Sequence, residues 1–311
     1  MAHDPGVPAE RRRRPKISLQ GRIIAHLARL MAPDRSGPGA LEAAIAEDRR
    51  QGPAMPSRKV LRRLKVDEVQ CAGLRAFRAR PASGSVLPLR LLYLHGGAYV
   101  MDLKAIQWNL VDGLVQRIPA EVMAPVYPLA PESGWEDGLA AVERAFDDVA
   151  AEVGPARVVV VGDSAGGGLA LSLAQRLRDG GKAPPAALAL FSPWLDLSVT
   201  GEDQPALERR DPVLTIDFLR AAGRMWAKDL PTTDPRVSPL FGDVTGLPPT
   251  IVFSGTRDVL DSDALRLAAA DPQIVHHHYP EMMHVWPCAP MPEGRRALDE
   301  AAAFIRRHAV A

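Results

Sequence analysis

The stretch that most constrains this chain is Val158-Val159-Val160-Val161-Gly162-Asp163-Ser164-Ala165-Gly166-Gly167-Gly168, where a β-branched run stops at a glycine and a helix pattern follows at once. Consecutive valines suit a strand covered on both faces, the situation of a parallel sheet wrapped by helices. Leu169, Leu171, Leu173, Ala174 and Leu177 then mark the helix. Gly162, Ser164 and Gly166 fill a G-x-S-x-G spacing between the two. A serine at the tip of a sharp strand-to-helix turn sits in strained backbone geometry, and a side chain at either flanking position would collide with neighbouring backbone. Its hydroxyl is pushed into the open, and the helix opening at Ala165 aims free N–H groups and a positive dipole end at the place where an oxyanion would form. An ordinary glycine-rich turn has the same look, so the motif alone does not establish catalysis. A phosphate-cradling loop fits worse, because no Gly-Lys-Ser/Thr closes the stretch and no G-x-G-x-x-G register matches.

The rest of the chain narrows the class. Its 311 residues suffice for one large α/β domain with additions. Lys plus Arg number 38 against 37 Asp plus Glu, so no global field calls for nucleic acid or an anionic membrane. The two cysteines, Cys71 and Cys288, lie far apart and suggest neither a disulfide framework nor a zinc site, so a reducing cytoplasm is the expected compartment. No apolar run is long enough to span a bilayer, and the basic N-terminus lacks the apolar region of a signal peptide. Stable membrane insertion is therefore not expected.

Strand and helix patterns alternate along most of the sequence. Residues 1 to about 16, with Pro5, Pro8, Pro15 and the run Arg11 to Arg14, read as a solvated arm. Ile17 to Met31 carries Ile23, Ile24, Leu27, Leu30 and Met31 at helical spacing, Pro33 to Gly39 breaks it, and Ala40 to Arg50 forms a second helix. Val60 to Val69 and Leu74 to Arg80 look like an antiparallel edge hairpin, with Leu74, Ala76 and Phe77 competing for its buried face. Further strands are predicted at Leu89 to Leu94, Glu121 to Tyr127, Val158 to Val161, Ala186 to Phe191, Thr250 to Phe253 and Gln273 to Tyr279. Helices are predicted at Ile106 to Arg117, Trp135 to Val153, Asp261 to Ala270 and Glu293 to His308. Such alternation implies a mostly parallel central sheet covered by helices on both faces, with the site beyond the carboxyl ends of the strands. Val199 to Pro231 interrupts it with one helix, Ile216 to Lys228, and no strand. The expected division is an N-terminal arm and cap helices over 1–57, an α/β core over 58–198 and 234–311, and a cap insertion over 199–233. Both cap pieces are expected to lay their apolar faces over the site.

A serine hydroxyl is a poor nucleophile until a base takes its proton, so Ser164 predicts a histidine downstream and a carboxylate to orient it. Asp258 falls in the loop after the strand Thr250 to Phe253, and His284 follows the strand ending at Tyr279. The order Ser164, Asp258, His284 is that of the α/β-hydrolases. Asp261 and Asp263 compete for the acid, but Asp261 is placed to cap the next helix and Asp263 falls in its first turn. His276, His277 and His278 alternate along a strand, which suits strand surface and core better than a metal cage. Glycines at Gly96 and Gly97, after a buried strand, let backbone N–H groups approach a carbonyl and join that of Ala165 as an oxyanion hole. His95 reads as a structural brace of that loop.

With these residues in place the chain resembles the hormone-sensitive-lipase-like carboxylesterases of the α/β-hydrolase fold, often called bacterial family IV. The matching motifs are His95-Gly96-Gly97-Ala98-Tyr99, Tyr127-Pro128-Leu129-Ala130-Pro131-Glu132, Gly162 to Gly167, Ser192 to Leu197, Asp234 to Leu240, Asp258 to Asp261 and Met283-His284-Val285. Ala98 stands where many members carry a third glycine, a departure that touches the register of the oxyanion donors. The resemblance implies hydrolysis of carboxylic esters through an acyl-enzyme, with no metal or cofactor, a small-molecule ester as partner, and a possible homodimer. It is also similar to acetyl-hydrolases and lactone hydrolases, which the residues do not separate. A small-molecule receptor on the same scaffold is the rival from another class, and retention of all three triad residues speaks against it. A roofed pocket implies soluble esters with acyl chains of roughly two to eight carbons rather than an oil interface.

Overall fold

The structure, a computed structural model, describes residues 17–31 and 39–309. The Arg11 to Arg14 arm and most of the Pro33 to Gly39 break lie outside these. Eight strands form one sheet in the order β1-β2-β4-β3-β5-β6-β7-β8. They are β1 Leu64–Cys71, β2 Leu74–Pro81, β3 Arg90–Leu94, β4 Glu121–Pro125, β5 Val158–Asp163, β6 Ala187–Phe191, β7 Thr250–Arg257 and β8 Val275–Met283. β1 pairs antiparallel with β2, and β2 antiparallel with β4, while every pairing from β4 through β8 is parallel. This is the mostly parallel sheet anticipated from the alternation, in the α/β-hydrolase arrangement that the resemblance implies.

The valine run explains why the sheet needs two covers. Val158 and Val160 join one apolar cluster and Val159 and Val161 the other, so β5 is buried from both sides. α5 (Trp135–Val153), α6 (Ala165–Asp179) and α9 (Asp261–Ala270) cover the first face. α4 (Trp108–Val115) and α10 (Pro292–Ala309) cover the second. Ala76 and Phe77 do not compete for one face: each is fully buried in a different cluster, so β2 is covered on both sides as well.

Two short helices were not legible, α3 (Arg58–Leu61) and α7 (Gln204–Glu208), because one helical turn shows no periodicity. β8 runs past Tyr279 through Pro280, which an edge strand tolerates because the missing N–H faces away from the ladder, and a register irregularity opposite Gly255 and Arg257 accompanies it.

Three further helices fall in the segments expected to form a cap, α1 (Leu19–Met31), α2 (Ala40–Gln51) and α8 (Ile216–Ala227). α8 buries Ile216, Phe218, Leu219, Ala222 and Trp226, as its pattern predicts. α1 reverses the expectation. Gly21 and Ala25 are its buried residues, whereas Leu19, Ile23, Leu27 and Leu30 remain 74%, 51%, 47% and 69% exposed. Small residues let the helix backbone approach the body closely; Ile24 packs half-buried against the core, and Leu19, Ile23, Leu27 and Leu30 are left outside.

Candidate active site

β5 delivers Ser164 at a turn whose backbone is held at φ 54°, ψ −123°, a region costly for a residue with a Cβ. The flanking glycines are required by close approach. A Cβ on Gly162 would lie 2.3 Å from the Gly166 carbonyl oxygen, and one on Gly166 would lie 2.0 Å from that of Leu94. Ser164 N–H donates to the Phe191 carbonyl at 2.9 Å, and its own carbonyl accepts from Trp194 N–H at 2.9 Å. Adjacent strand ends thus over-determine the strained residue.

Ser164 lines a cavity of ≈ 320 Å³ together with Gly97, Ala98, His284, Leu214 and Phe218. Asp258 directly follows β7 and His284 directly follows β8. His284 Nδ1 meets Asp258 Oδ2 at 3.0 Å, and Asp258 Oδ1 accepts from Leu260 N–H at 2.9 Å. Asp258 is fully buried. The loop beyond the histidine is tied down by Val285 N–H donating to Ser192 Oγ at 3.1 Å. Burial opposes the imidazolium, but the Asp258 carboxylate, and behind it Asp211, raise the His284 pKa above its ordinary value.

The competing side chains have other work. Asp261 does not cap α9; it is the first residue of that helix, and its carboxylate takes the Ser254 hydroxyl at 2.5 Å and His278 Nε2 at 2.9 Å. Asp263 accepts the Leu195 and Asp196 N–H groups at 2.9 and 3.0 Å, and burial pushes its carboxyl up to about 8. His276 meets Ser254 Oγ at 2.8 Å, stacking near His278, while His277 pairs with Glu300 at 2.6 Å. Strand alternation sends the middle histidine to its own partner. His95 is buried, its Nδ1 2.9 Å from the Gly96 carbonyl oxygen and its ring stacked on Tyr127 at 4.5 Å.

The loop after β3 departs from the expectation at Gly96. Gly96 N–H donates to Asp163 Oδ1 at 3.1 Å and is thereby engaged. Gly96, Gly97 and Ala98 all line the cavity, and Ala98 and Tyr99 both have positive φ, 53° and 62°, so the chain turns sharply just there.

Two carboxylates at the site are not marked out by the sequence reading. Asp163 is a buried hub that also accepts from the Tyr93 hydroxyl at 2.5 Å and Gln107 Nε2 at 2.9 Å, binding the loop at Gly96 to the turn at Ser164. Its position inside the serine motif was the available signal. Asp211 lies in the cap and accepts from Val259 N–H at 2.9 Å, and from Val213 and Leu214 N–H at 2.7 and 3.0 Å. It therefore joins the cavity wall to the turn carrying Asp258. Burial, then the nearby Asp258 charge, raises its pKa to about 7. Nothing local in the sequence marks it, since its partners are distant backbone groups.

A family profile described as the alpha/beta hydrolase fold matches residues 91–288. An acetyl-hydrolase of Streptomyces hygroscopicus is 39% identical over 229 residues, spanning 70% of this chain and 75% of that protein. An esterase of Acinetobacter venetianus is 31% identical over 249 residues, spanning 78% of this chain and 82% of its own. Among solved structures, an esterase from the bacterial hormone-sensitive lipase family superposes with a TM-score of 0.81 at 25% identity, covering 94% of this chain and 99% of that one. Among the described residues no helix is long and apolar enough to cross a membrane.

Proposed function

The chain belongs to the hormone-sensitive-lipase-like carboxylesterases of the α/β-hydrolase fold and is a carboxylic ester hydrolase, and from that premise we propose that it works through Ser164, His284 and Asp258 by an acyl-enzyme route. The observation that carries this reading is the His284–Asp258 contact facing the same cavity as the strained Ser164. His284 accepts the Ser164 proton as Oγ bonds the ester carbonyl carbon, then returns that proton to the departing alkoxide, which leaves as the alcohol. Water, deprotonated by the same imidazole, attacks the acyl carbon and releases the acid with Ser164 restored. Asp258 holds the ring in the productive tautomer and balances its transient charge.

The developing oxyanion is assigned to the N–H groups of Gly97, Ala98 and Ala165. Gly96, a candidate donor by its place in the motif, is committed to Asp163, and Ala98 takes its place with the chain turned by positive φ. A donor aimed at the oxyanion is worth about 3–4 kcal/mol in the transition state.

At ≈ 320 Å³ the cavity lies at the small end of ligand pockets. Acyl chains of roughly two to eight carbons are expected, each methylene gaining about 0.8 kcal/mol until the space is full. Acetyl esters are a second, narrower reading, favoured by the 39% identical acetyl-hydrolase. The test is a pair of substitutions assayed on p-nitrophenyl butyrate. Asp258→Asn is expected to lower kcat by about ten-thousand-fold through the wrong histidine tautomer, while Asp261→Asn leaves it within about tenfold, because Asp261 touches Ser254 and His278 rather than His284. The reverse ranking would move the triad acid to Asp261.

A further inference from the structure

The reversed α1 helix carries the inference. At 3.6 residues per turn, Leu19, Ile23, Leu27 and Leu30 fall within about 80° of arc, and all are exposed. Arg22, His26 and Arg29 run along one border of that stripe and are exposed as well. The opposite side is occupied: Gly21 and Ala25 are buried against the body, and Ala28 lines the cavity of Ser164. The helix is also held in register. Glu293, at the start of α10, accepts from Ser18 N–H at 2.6 Å and from the Ser18 hydroxyl at 3.0 Å, and Gln20 donates to the Pro290 carbonyl. Its outward face therefore cannot roll inward without giving up both the tether and the small-residue seat.

Charge indicates what should cover it. Arg11 to Arg14, Lys16, Arg22 and Arg29 against Asp4 and Glu10 give residues 1–31 a side-chain charge of +5, in a chain whose total is +1. The remainder is thus at −4, and the near-neutral total conceals a strongly basic N-terminal segment. A helix with a broad apolar stripe, a basic border and a basic lead-in has the composition of one that lies in the plane of a lipid–water interface, apolar residues in the acyl boundary and cations at anionic headgroups. A second copy of this chain in antiparallel packing is the poorer match, because a two-fold axis would then set the same basic border against itself. We propose that α1 docks the protein on anionic lipid surfaces through Leu19, Ile23, Leu27 and Leu30, with Arg22 and Arg29 supplying the headgroup contacts. This goes beyond the ester-hydrolysis reading, and vesicle binding is measured without turnover.

The full-length protein is sedimented with vesicles of phosphatidylcholine alone and with vesicles of equal parts phosphatidylcholine and phosphatidylglycerol, at low and at physiological salt. Partitioning onto the anionic vesicles is expected to be at least about tenfold stronger and to weaken with salt. Ile23→Asp combined with Leu30→Asp, both on exposed positions, is expected to abolish it while p-nitrophenyl butyrate hydrolysis in solution stays at the wild-type rate. Absence of cosedimentation, or undiminished binding by the double variant, would overturn the proposal. So would a dimer in sedimentation velocity that the double variant dissociates, which would assign the face to a second copy.

Discussion

α1 and α8 are both amphipathic cap helices with no place in the sheet, yet they face opposite ways. α8 turns its apolar side in: Phe218 and Leu219 line the cavity, and Trp226 stacks on Tyr99 at 4.4 Å and 7°. α1 turns its larger apolar side out and meets the cavity through Ala28. The difference lies in what each helix offers a partner. α8 brings an aromatic ring that fills space against Tyr99, so inward packing removes much area from water. α1 brings glycine and alanine on the side opposite its leucines, which allows close backbone approach, and its Ser18 tether to Glu293 fixes that choice. Periodicity states which residues share a face; it does not state which of two usable faces is the inner one.

The largest effect expected from this comparison is at Trp226. Trp226→Ala empties space beside Tyr99 and should destabilise by about 3–5 kcal/mol, read as a drop in the denaturant midpoint at unchanged slope. A loss below about 1 kcal/mol would mean that α8 is no better seated than α1. Next comes Asp211, the carboxylate that ties the α8 side of the cap to the Asp258 turn. His284 must be neutral to accept the Ser164 proton, and its raised pKa places the acid limb of kcat/KM above the ordinary histidine value near 6.5. Asp211→Asn removes a carboxyl that, where ionised, raises the His284 pKa, and should move that limb to lower pH. An unmoved limb with lowered stability would reduce Asp211 to a structural tie. The smallest effect is at Ile23. Ile23→Ser should change folding stability by no more than about 0.5 kcal/mol, and a core-sized loss would show that α1 buries this stripe after all.

Much of the molecule was legible because its signals are local. The valine run required a two-faced cover, the alternation of strands and helices set the parallel sheet, and Ser164, Asp258 and His284 sit at strand ends where loops carry chemistry. What escaped depends on partners far along the chain. Gly96 looked like a free donor until Asp163, brought alongside by β5, took its N–H. Asp211 reads as a turn residue before a proline, and its meaning comes from the Val259 N–H 48 positions away. Asp261 had the place of a helix cap, but β7 and β8 deliver Ser254 and His278 to its two oxygens. The charge total of +1 likewise averages a basic N-terminal segment with an acidic remainder.

The central claim is that Ser164 is the nucleophile, and the direct measurement is intact-protein and peptide mass spectrometry after treatment with a fluorophosphonate, paired with p-nitrophenyl butyrate turnover by wild type and Ser164→Ala. The account predicts one adduct, on the peptide carrying Ser164, with loss of turnover in step with labelling and no labelling or turnover in Ser164→Ala. Ester turnover that survives in Ser164→Ala, or complete inactivation with the adduct on another residue, would contradict it.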